Sequence, residues 1–154
     1  MPLYFQPTAR ILGSSGATVT APTDTAENIL ATINIPPLST TAVIIYRAQV
    51  SQTNNANQKT MRMRLGGIGG TDFWTATNIA NQARYLFDGQ IQNRAATNSQ
   101  GGAFVSGATA LASSAITTGA IDTSVATTLV ITAQKTTAGD SIVLESYFVE
   151  LWIP

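Results

Sequence analysis

Few side chains in this sequence could carry out chemistry. The chain has 8 acidic and 8 basic residues among 154, and it contains no His and no Cys. Ser-His-Asp and Cys-His nucleophiles, disulfide bonds, Cys/His zinc sites and histidine pH switches all depend on those two residue types. The composition therefore predicts a protein that is not an enzyme, with no catalytic residue, no metal site and no cofactor.

Paired carboxylates are the main catalytic arrangement that needs no His, as in glycoside hydrolysis. Five of the acids lie beside Gly, Thr or Ser, where an Asp side chain usually caps a turn. Glu145 and Glu150 share a predicted strand but face opposite sides of it unless a bulge lies between them. The acids thus favour turns over a hydrolase. The five are Asp24, Asp72, Asp88, Asp122 and Asp140.

A glycine-rich segment at Gly66–Gly70 has the composition of a phosphate-binding loop. Such loops bind phosphate because their amides converge at the start of a helix, usually with a following Lys-Ser/Thr pair. Neither a helical pattern nor that pair follows here. The segment is predicted to be a turn between two strands.

Lys59, Arg62 and Arg64 are predicted to form a cationic face on one strand. Two interpretations stay open: a solvated strand face, or an interface where the guanidinium groups meet a neighbour's carboxylates or carbonyls. A nucleic-acid site would need more basic residues with aromatics between them, and the net charge is zero. No apolar run approaches the roughly 18 residues of a membrane span. Neither nucleic acid nor membrane is expected as a partner.

Aromatic residues within strands most often pack in the core. Trp74 and Tyr85 could instead form a sugar-stacking platform, with amides supplied by Asn55 and Asn98 in neighbouring loops. A subunit interface is the third interpretation of the strand aromatics, which also include Trp152 and Tyr147. All three interpretations are compatible with the sequence.

Tyr4 and Phe5 lie between Pro2 and Pro7, before the first plausible strand. On an isolated domain they would be exposed. They are better explained as part of a short N-terminal arm that docks on a neighbouring molecule.

The elements that position these residues are short segments rich in Val, Ile, Thr and aromatics, bounded by Gly, Pro, Asn, Asp or Ser, which is typical of strands and turns. The predicted strands are 28–35, 42–50, 59–65, 73–78, 85–93, 127–134 and 141–153. Helical periodicity is nearly absent. The sequence predicts an all-β, antiparallel β-sandwich of jelly-roll type with an extended N-terminal arm. Residues 1–20 are expected to be this arm and a first edge segment, and residues 21–154 a single β-sandwich domain.

Several strands carry finer patterns. Ile29, Ala31, Ile33 and Ile35 are expected on one buried face. The run 43–46 is apolar on both faces, as in a central strand that is covered on both sides. In the last strand the apolar alternation changes phase, which requires either a bulge near Ser146 or two covered faces.

Two other regions are less regular. Asp88-Gly89 is expected to form a bulge or bend within its strand. Residues 95–126 contain mainly small residues, and a connection of that length usually has a function or contains short strands.

Five stretches, taken in this order, resemble small virion proteins of tailed bacteriophages. They are Met61–Gly70, Phe87–Arg94, Ser99–Gly102, Ile131–Lys135 and Gly139–Leu151. Proteins of that group are jelly-roll modules that serve as capsid decoration (cement) proteins, head fibres or tail-associated proteins. The similarity covers residues 60 to 153.

The resemblance implies a homotrimer that sits on the outer capsid surface, bridges major capsid protein subunits and is assembled in the host cytoplasm, without catalysis or cofactor. The contacts expected on this basis involve Leu3, Tyr4, Phe5, Arg10, Arg62 and Arg64. The alternative is a tail- or fibre-associated module that binds host glycans through Trp74, Tyr85, Asn55 and Asn98.

Overall fold

The computed structural model describes residues 8–77, 79–106 and 116–154, with only the backbone described over 104–106. These residues form strands and no α-helix. The strands are β1 (Thr8–Ser15), β2 (Val19–Thr20), β3 (Asn28–Ile35), β4 (Val43–Gln52), β5 (Lys59–Leu65), β6 (Thr71–Ala76), β7 (Arg84–Asn93), β8 (Gln100–Ser106), β9 (Thr117–Gly119), β10 (Thr127–Lys135) and β11 (Ile142–Ile153). No described helix could cross a membrane.

Two antiparallel sheets form a sandwich. Sheet A has the order β1-β11-β4-β7-β8-β9, with β2 also paired to β11, and sheet B has the order β3-β10-β5-β6. Without β2, β8 and β9, the remaining strands numbered along the chain run 1-8-3-6 in one sheet and 2-7-4-5 in the other. This double Greek key is the jelly roll. The predicted fold class is confirmed.

The core lies between the sheets and is built by alternation along each strand. Met61, Met63 and Leu65 on β5 are fully buried, while Arg62 and Arg64 point to the other side. Burial of one face of each strand is the main stabilising term of such a sandwich. All seven strands predicted from the sequence are present, with bounds that differ by at most two residues.

Bulges account for the patterns that plain alternation does not explain. The register between β11 and β4 shifts between Leu144 and Ser146, so the predicted bulge near Ser146 is confirmed. The register between β10 and β3 also shifts, between Ile131 and Thr132 of β10. This shift exchanges the buried and exposed sides at the start of β3, so that Leu30 is buried and Ile29 is 44% exposed. The prediction that Ile29 belongs to the buried face is therefore wrong.

The predicted bulge at Asp88-Gly89 is also wrong, because β4 and β7 pair continuously through this point. Gly89 lies directly opposite Tyr46, which is fully buried. A Cβ at position 89 would collide with the Tyr46 ring. The glycine leaves space for an aromatic ring and does not bend the strand.

The two edges of sheet A are formed by residues 95–126 on one side and by β1 on the other. β8 and β9 are short strands within residues 95–126, as expected, and residues 107–115 are outside the described part of the chain. β1 pairs with β11 at the opposite edge. The expected arm residues Leu3, Tyr4 and Phe5 lie outside the described residues, and the division at residue 20 stays a prediction.

Candidate functional site

The outward side of sheet A carries large apolar side chains among polar ones, and no described element covers it. Alternation places Val43 and Ile45 of β4 on this side, because Ile44 and Tyr46 face the core. Strand register adds residues from three neighbours: Trp152 is opposite Val43, and both Ile11 and Ile45 are opposite Glu150. We call this surface the outer face of sheet A. Its large apolar residues are Ile11, Val43, Ile45, Leu86, Phe148 and Trp152.

Several of these side chains are open to solvent. Ile11 is 59% exposed, Leu86 is 49% exposed and Trp152 is 37% exposed. On the same face Arg47 Nε lies 2.6 Å from Asp88 Oδ2, so these two charges neutralise each other across β4 and β7. The face therefore combines exposed apolar side chains with a charge pair between them. Exposed apolar area of this kind can mark a surface that contacts another molecule.

The outward side of sheet B has a different chemistry. Arg64 binds Glu27 with two hydrogen bonds, Nε to Oε1 at 3.0 Å and Nη2 to Oε2 at 3.1 Å. Arg64 Nη1 also lies 3.1 Å from Asp72 Oδ1. Arg62 contacts the same two carboxylates, at 3.2 Å and 3.7 Å. We call these four residues the arginine–carboxylate network.

Partial burial strengthens this network. Desolvation acts to raise the pKa of Glu27, but hydrogen bonds from Arg64 and Thr132 together with the charge of Arg62 outweigh it and leave that pKa below its usual value. At Asp72 desolvation prevails over the two arginines, and its pKa is raised. The hydrogen bond to Glu27 raises the pKa of Arg64. Of the two carboxylates, Glu27 is the better matched partner.

The network shows where the two predicted interface arginines lie. Arg62 and Arg64 are on one face as expected, but the carboxylates that they contact belong to the same chain. Lys59 is not part of this face, because it shares the inward phase of Met61 and is fully buried. The predicted three-residue cationic face is therefore wrong for Lys59.

Glu27→Gln should lower the free energy of unfolding at pH 7 by about 2 kcal/mol, because a charged pair of hydrogen bonds is lost. The folded-state pKa of Glu27 lies below its ordinary value of 4.5. Its contribution is therefore fully present above that value and is lost as the pH falls through the folded-state pKa. Urea unfolding at several pH values should show the difference between variant and parent narrowing in acid. Glu150→Gln, on the other sheet, serves as the matched control, and an equal loss there would contradict this assignment.

Lys59 instead belongs to a buried polar cluster at one end of the sandwich. Its Nζ donates to Asn55 Oδ1 at 2.7 Å and to the Asn57 carbonyl at 2.9 Å, and lies 3.3 Å from Asp140 Oδ2. Lys135 Nζ donates to the Asp140 carbonyl at 2.6 Å. Hydrogen bonding from Asn55 lowers the pKa of the Asp140 carboxyl. We call Asn55, Lys59, Lys135 and Asp140 the lysine cluster.

The residues of the predicted sugar site do not come together. Trp74 is 1% exposed, with its ring stacked on Phe87 at 4.2 Å, so it cannot offer a face to a ligand. Asn98 follows the end of β7, whereas Tyr85 is at its start, about 26 Å away along the strand. Asn55 is held in the lysine cluster. The structure thus corrects the proposed platform: Asn98 is exposed but distant, and of the four residues Tyr85 is the one that lines a groove.

Tyr85 lines an open groove of about 780 Å³ at one end of sheet A. Glu145 in this groove accepts a hydrogen bond from the Ser51 hydroxyl. The groove is also lined by Gln49, Val50, Arg84 and Leu86.

A second open cleft, of about 550 Å³, contains Arg10 and lies between the edges of the two sheets.

The acids do not form a catalytic pair in either opening: the groove contains only Glu145 and the cleft contains none. Asp24 and Asp122 cap turns as predicted, each accepting a backbone N–H two residues ahead. Asp72, Asp88 and Asp140 form ion pairs instead, which corrects their assignment as turn caps. Within the described ranges, no three acidic residues are grouped to hold a metal ion.

Gly66–Gly70 forms the predicted turn between β5 and β6. Gly66 and Gly67 have φ values of 94° and 78°, which favour glycine, and the Gly70 N–H donates to the Gly67 carbonyl. No helix N-terminus follows, because β6 begins at Thr71. The segment lacks the geometry of a phosphate-binding loop.

Ile11 and Leu86 are surface residues that the sequence-based predictions missed. The sequence did contain one signal, because the start of β4 is apolar on both sides. If the outer side of β4 is uncovered, the strands paired with it also present outward side chains next to Val43 and Ile45. Assigning Ile11 additionally required the pairing of β1 with β11.

No family model and no curated protein matches this chain. Known structures with some similarity include the CBM2 module of the evolved Dit of Lactobacillus casei BL23 phage J-1, at 14% identity and TM-score 0.38, covering 77% of this chain and 68% of that one. The VP2 subviral particle of infectious bursal disease virus has 11% identity and TM-score 0.41, covering 96% of this chain and 33% of that one. The Gx strain of the same virus has 11% identity and TM-score 0.37, covering 96% and 37%. The chain thus spans about a third of the length of each of these viral chains.

Proposed function

We propose that this chain is a non-enzymatic structural protein of a phage particle, a capsid decoration protein that oligomerises and bridges major capsid subunits. The observation that carries the proposal is the outer face of sheet A, where exposed Ile11, Leu86 and Trp152 lie on one side of the jelly roll. Jelly rolls are frequent in capsid and lectin domains, and the resemblance to small phage virion proteins favours the first of these.

The two-sided apolar pattern of β4 supports an assembled state. Ile44 and Tyr46 are buried by sheet B, but Val43 and Ile45 on the other side have no covering layer within the described chain. Antiparallel sheets with a solvated face usually alternate apolar and polar residues. A neighbouring subunit on this face would account for the departure from that rule.

Charge pairing within the chain supports the same conclusion. Arg62 and Arg64 are neutralised by Glu27 and Asp72, and Lys59 lies beside Asp140. Little unpaired charge is left on the outward side of sheet B to attract a partner over a distance, so contact through the outer face of sheet A would depend mainly on apolar fit at short range. A symmetric oligomer on a symmetric lattice multiplies such a modest contact into firm attachment.

The N-terminal segment is attached beside this surface. Ala9 is opposite Trp152 in the β1–β11 pair, so the preceding residues Leu3, Tyr4 and Phe5 are linked to the edge of the same sheet. In the proposed function these residues and Arg10 contact capsid protein or a neighbouring subunit. The protein then acts as a clamp that stabilises the shell without any chemical step.

Two sets of variants test this proposal. Ile11→Glu combined with Leu86→Glu should convert an oligomer into a monomer in light scattering, and should reduce occupancy on capsids lacking the protein by at least about tenfold, because burying two carboxylates at an interface is costly. Ile29→Glu is the matched control, because Ile29 is 44% exposed on sheet B. Deleting residues 1–7 tests the arm separately. A wild-type chain that is monomeric and does not bind capsids would refute the proposal.

The groove beside Tyr85 favours a second candidate function, glycan binding by a tail- or fibre-associated module. Its Arg84, Glu145 and Gln49 offer charged and amide groups beside an aromatic ring, as sugar sites do. A glycan array probed with the assembled protein tests this function. Binding that is lost in Tyr85→Ala would support it, whereas an array without hits would count against it.

A further inference from the structure

The lysine cluster brings an amine, a side-chain amide and a carboxylate into contact. Lys59 Nζ lies 2.7 Å from Oδ1 of Asn55, and the Nδ2 amide of Asn55 donates to Asp140 Oδ1 at 2.7 Å. The other oxygen of Asp140 is 3.3 Å from the same Nζ. One carboxylate thus contacts both the amine and the amide nitrogen. These are the groups needed to convert an amine and a primary amide into a new amide.

The surroundings of the cluster exclude water. Lys59 is fully buried and Asp140 is 6% exposed. The loop before β5 and the turn before β11 are tied together, since Thr53 N–H donates to the Ser141 carbonyl and the Ser141 N–H donates to the Thr53 hydroxyl. A fixed contact in a dry site gives a large effective concentration of amine at the amide carbon.

We infer that Lys59 and Asn55 form an intramolecular isopeptide bond, with Asp140 as the proton-transfer group. Asp140 takes a proton from the Lys59 ammonium, and the free amine attacks Cγ of Asn55. The Nζ–Cγ bond forms, Asp140 returns its proton to Nδ2, and the Cγ–Nδ2 bond breaks. A second proton is lost from Nζ as the amide forms, and Asp140 transfers it to the released ammonia, which becomes the ammonium ion. Lysine ammonium and carboxamide become a secondary amide and an ammonium ion, so atoms and charge balance without an oxidant or co-reactant.

Charge balance within the cluster favours this product. Two amines lie against Asp140: Lys59 Nζ is 3.3 Å from its carboxylate, and Lys135 Nζ donates to its backbone carbonyl. Ion pairs that are buried with unequal charge are costly. When Lys59 becomes an amide, its positive charge leaves with the ammonium ion, and the cluster keeps one amine, Lys135, and one carboxylate, Asp140. The bond would also close the loop between β4 and β5 against unfolding.

Mass spectrometry of the purified full-length chain tests this inference. The intact 16.1 kDa protein should be lighter than its sequence by about 17 Da, the mass of one ammonia. After unfolding and trypsin digestion, cleavage at Lys59 should be absent, and a peptide from Ala48 to Arg62 should carry the deficit. An intact mass equal to that of the sequence would overturn the inference. A deficit with normal cleavage at Lys59 would also overturn it, because a cyclised asparagine leaves that lysine free.

Three variants identify the participating groups. Lys59→Arg and Asp140→Asn should both restore the full mass, the first by removing the nucleophile and the second by removing the proton carrier. Asn54→Ala is the matched control, because Asn54 is exposed in the same loop, and it should retain the deficit. The wild-type mass alone decides the inference if a cluster variant does not fold.

Discussion

Replacing Trp74 with Ala is expected to lower the free energy of unfolding by about 3–5 kcal/mol, as for other large aromatic truncations in a core. Trp74 belongs to sheet B, but its ring stacks on Phe87 of sheet A at 4.2 Å and tilts against Tyr85 at 5.9 Å. It therefore joins the two layers. Chemical denaturation of the variant, followed by circular dichroism, measures the loss.

Trp152→Ala is the informative comparison for this prediction. Trp152 is 37% exposed on the outer face of sheet A, so its truncation removes little core packing and should cost about 1 kcal/mol in the isolated chain. The same change should weaken oligomerisation, which Trp74→Ala affects only through folding. A larger stability loss for Trp152 than for Trp74 would contradict the assignment of one residue to the core and the other to an interface.

Burial on one side of a strand leaves a period-two pattern in the sequence, and for this reason most strands could be predicted. Lys59–Leu65 shows it well, since Met61, Met63 and Leu65 face the core and the residues between them do not. β1 was predicted only as an edge segment without bounds within residues 1–20, because an edge strand buries little of its length and Thr8–Ser15 is composed largely of small residues. Strand pairing, which comes from tertiary structure, was needed to identify it.

Bulges explain why Trp74 could not be placed from the sequence. Phe73 and Trp74 are adjacent, and simple alternation would put one of them outside the core. The register between β5 and β6 shifts at this point, so both side chains are buried. No local feature of the sequence marks this shift. Trp74 was therefore a candidate for the exposed sugar-stacking platform, although its ring is in the core.

The two charged clusters depended on contacts between distant residues. Glu27 is 37 positions from Arg64, and Asp140 is 85 positions from Asn55. The alternation of β5 places Lys59 on the buried side, but burying an unpaired amine is costly. Its burial could be understood only once its partners Asn55 and Asp140, from two loops, were known. The sequence could indicate strand faces, whereas the partner of each charge followed only from the jelly-roll topology.

Gly102→Ala should lower the free energy of unfolding by about 2–3 kcal/mol, through overpacking of the core. A Cβ at this position would lie 2.5 Å from Cδ1 of Phe73, whose ring is fully buried. Gly119 approaches the other end of the same ring, where a Cβ would lie 2.6 Å from Cζ. The two glycines thus allow β8 and β9 to extend sheet A over the end of sheet B. Thermal and urea unfolding of the variant provide the measurement.

Gly101→Ala is the matched control, because its Cβ would point to the opposite face and meet Arg94 Cδ at 3.0 Å, an exposed side chain that can move. Its cost should stay below about 1 kcal/mol. Adding Phe73→Leu to Gly102→Ala should recover part of the loss, since two residues in direct contact do not contribute additively. Two results would show that the Phe73 ring is not the reason why position 102 requires glycine. One is an equal loss of unfolding free energy for Gly101→Ala and Gly102→Ala, and the other is strict additivity of Gly102→Ala and Phe73→Leu.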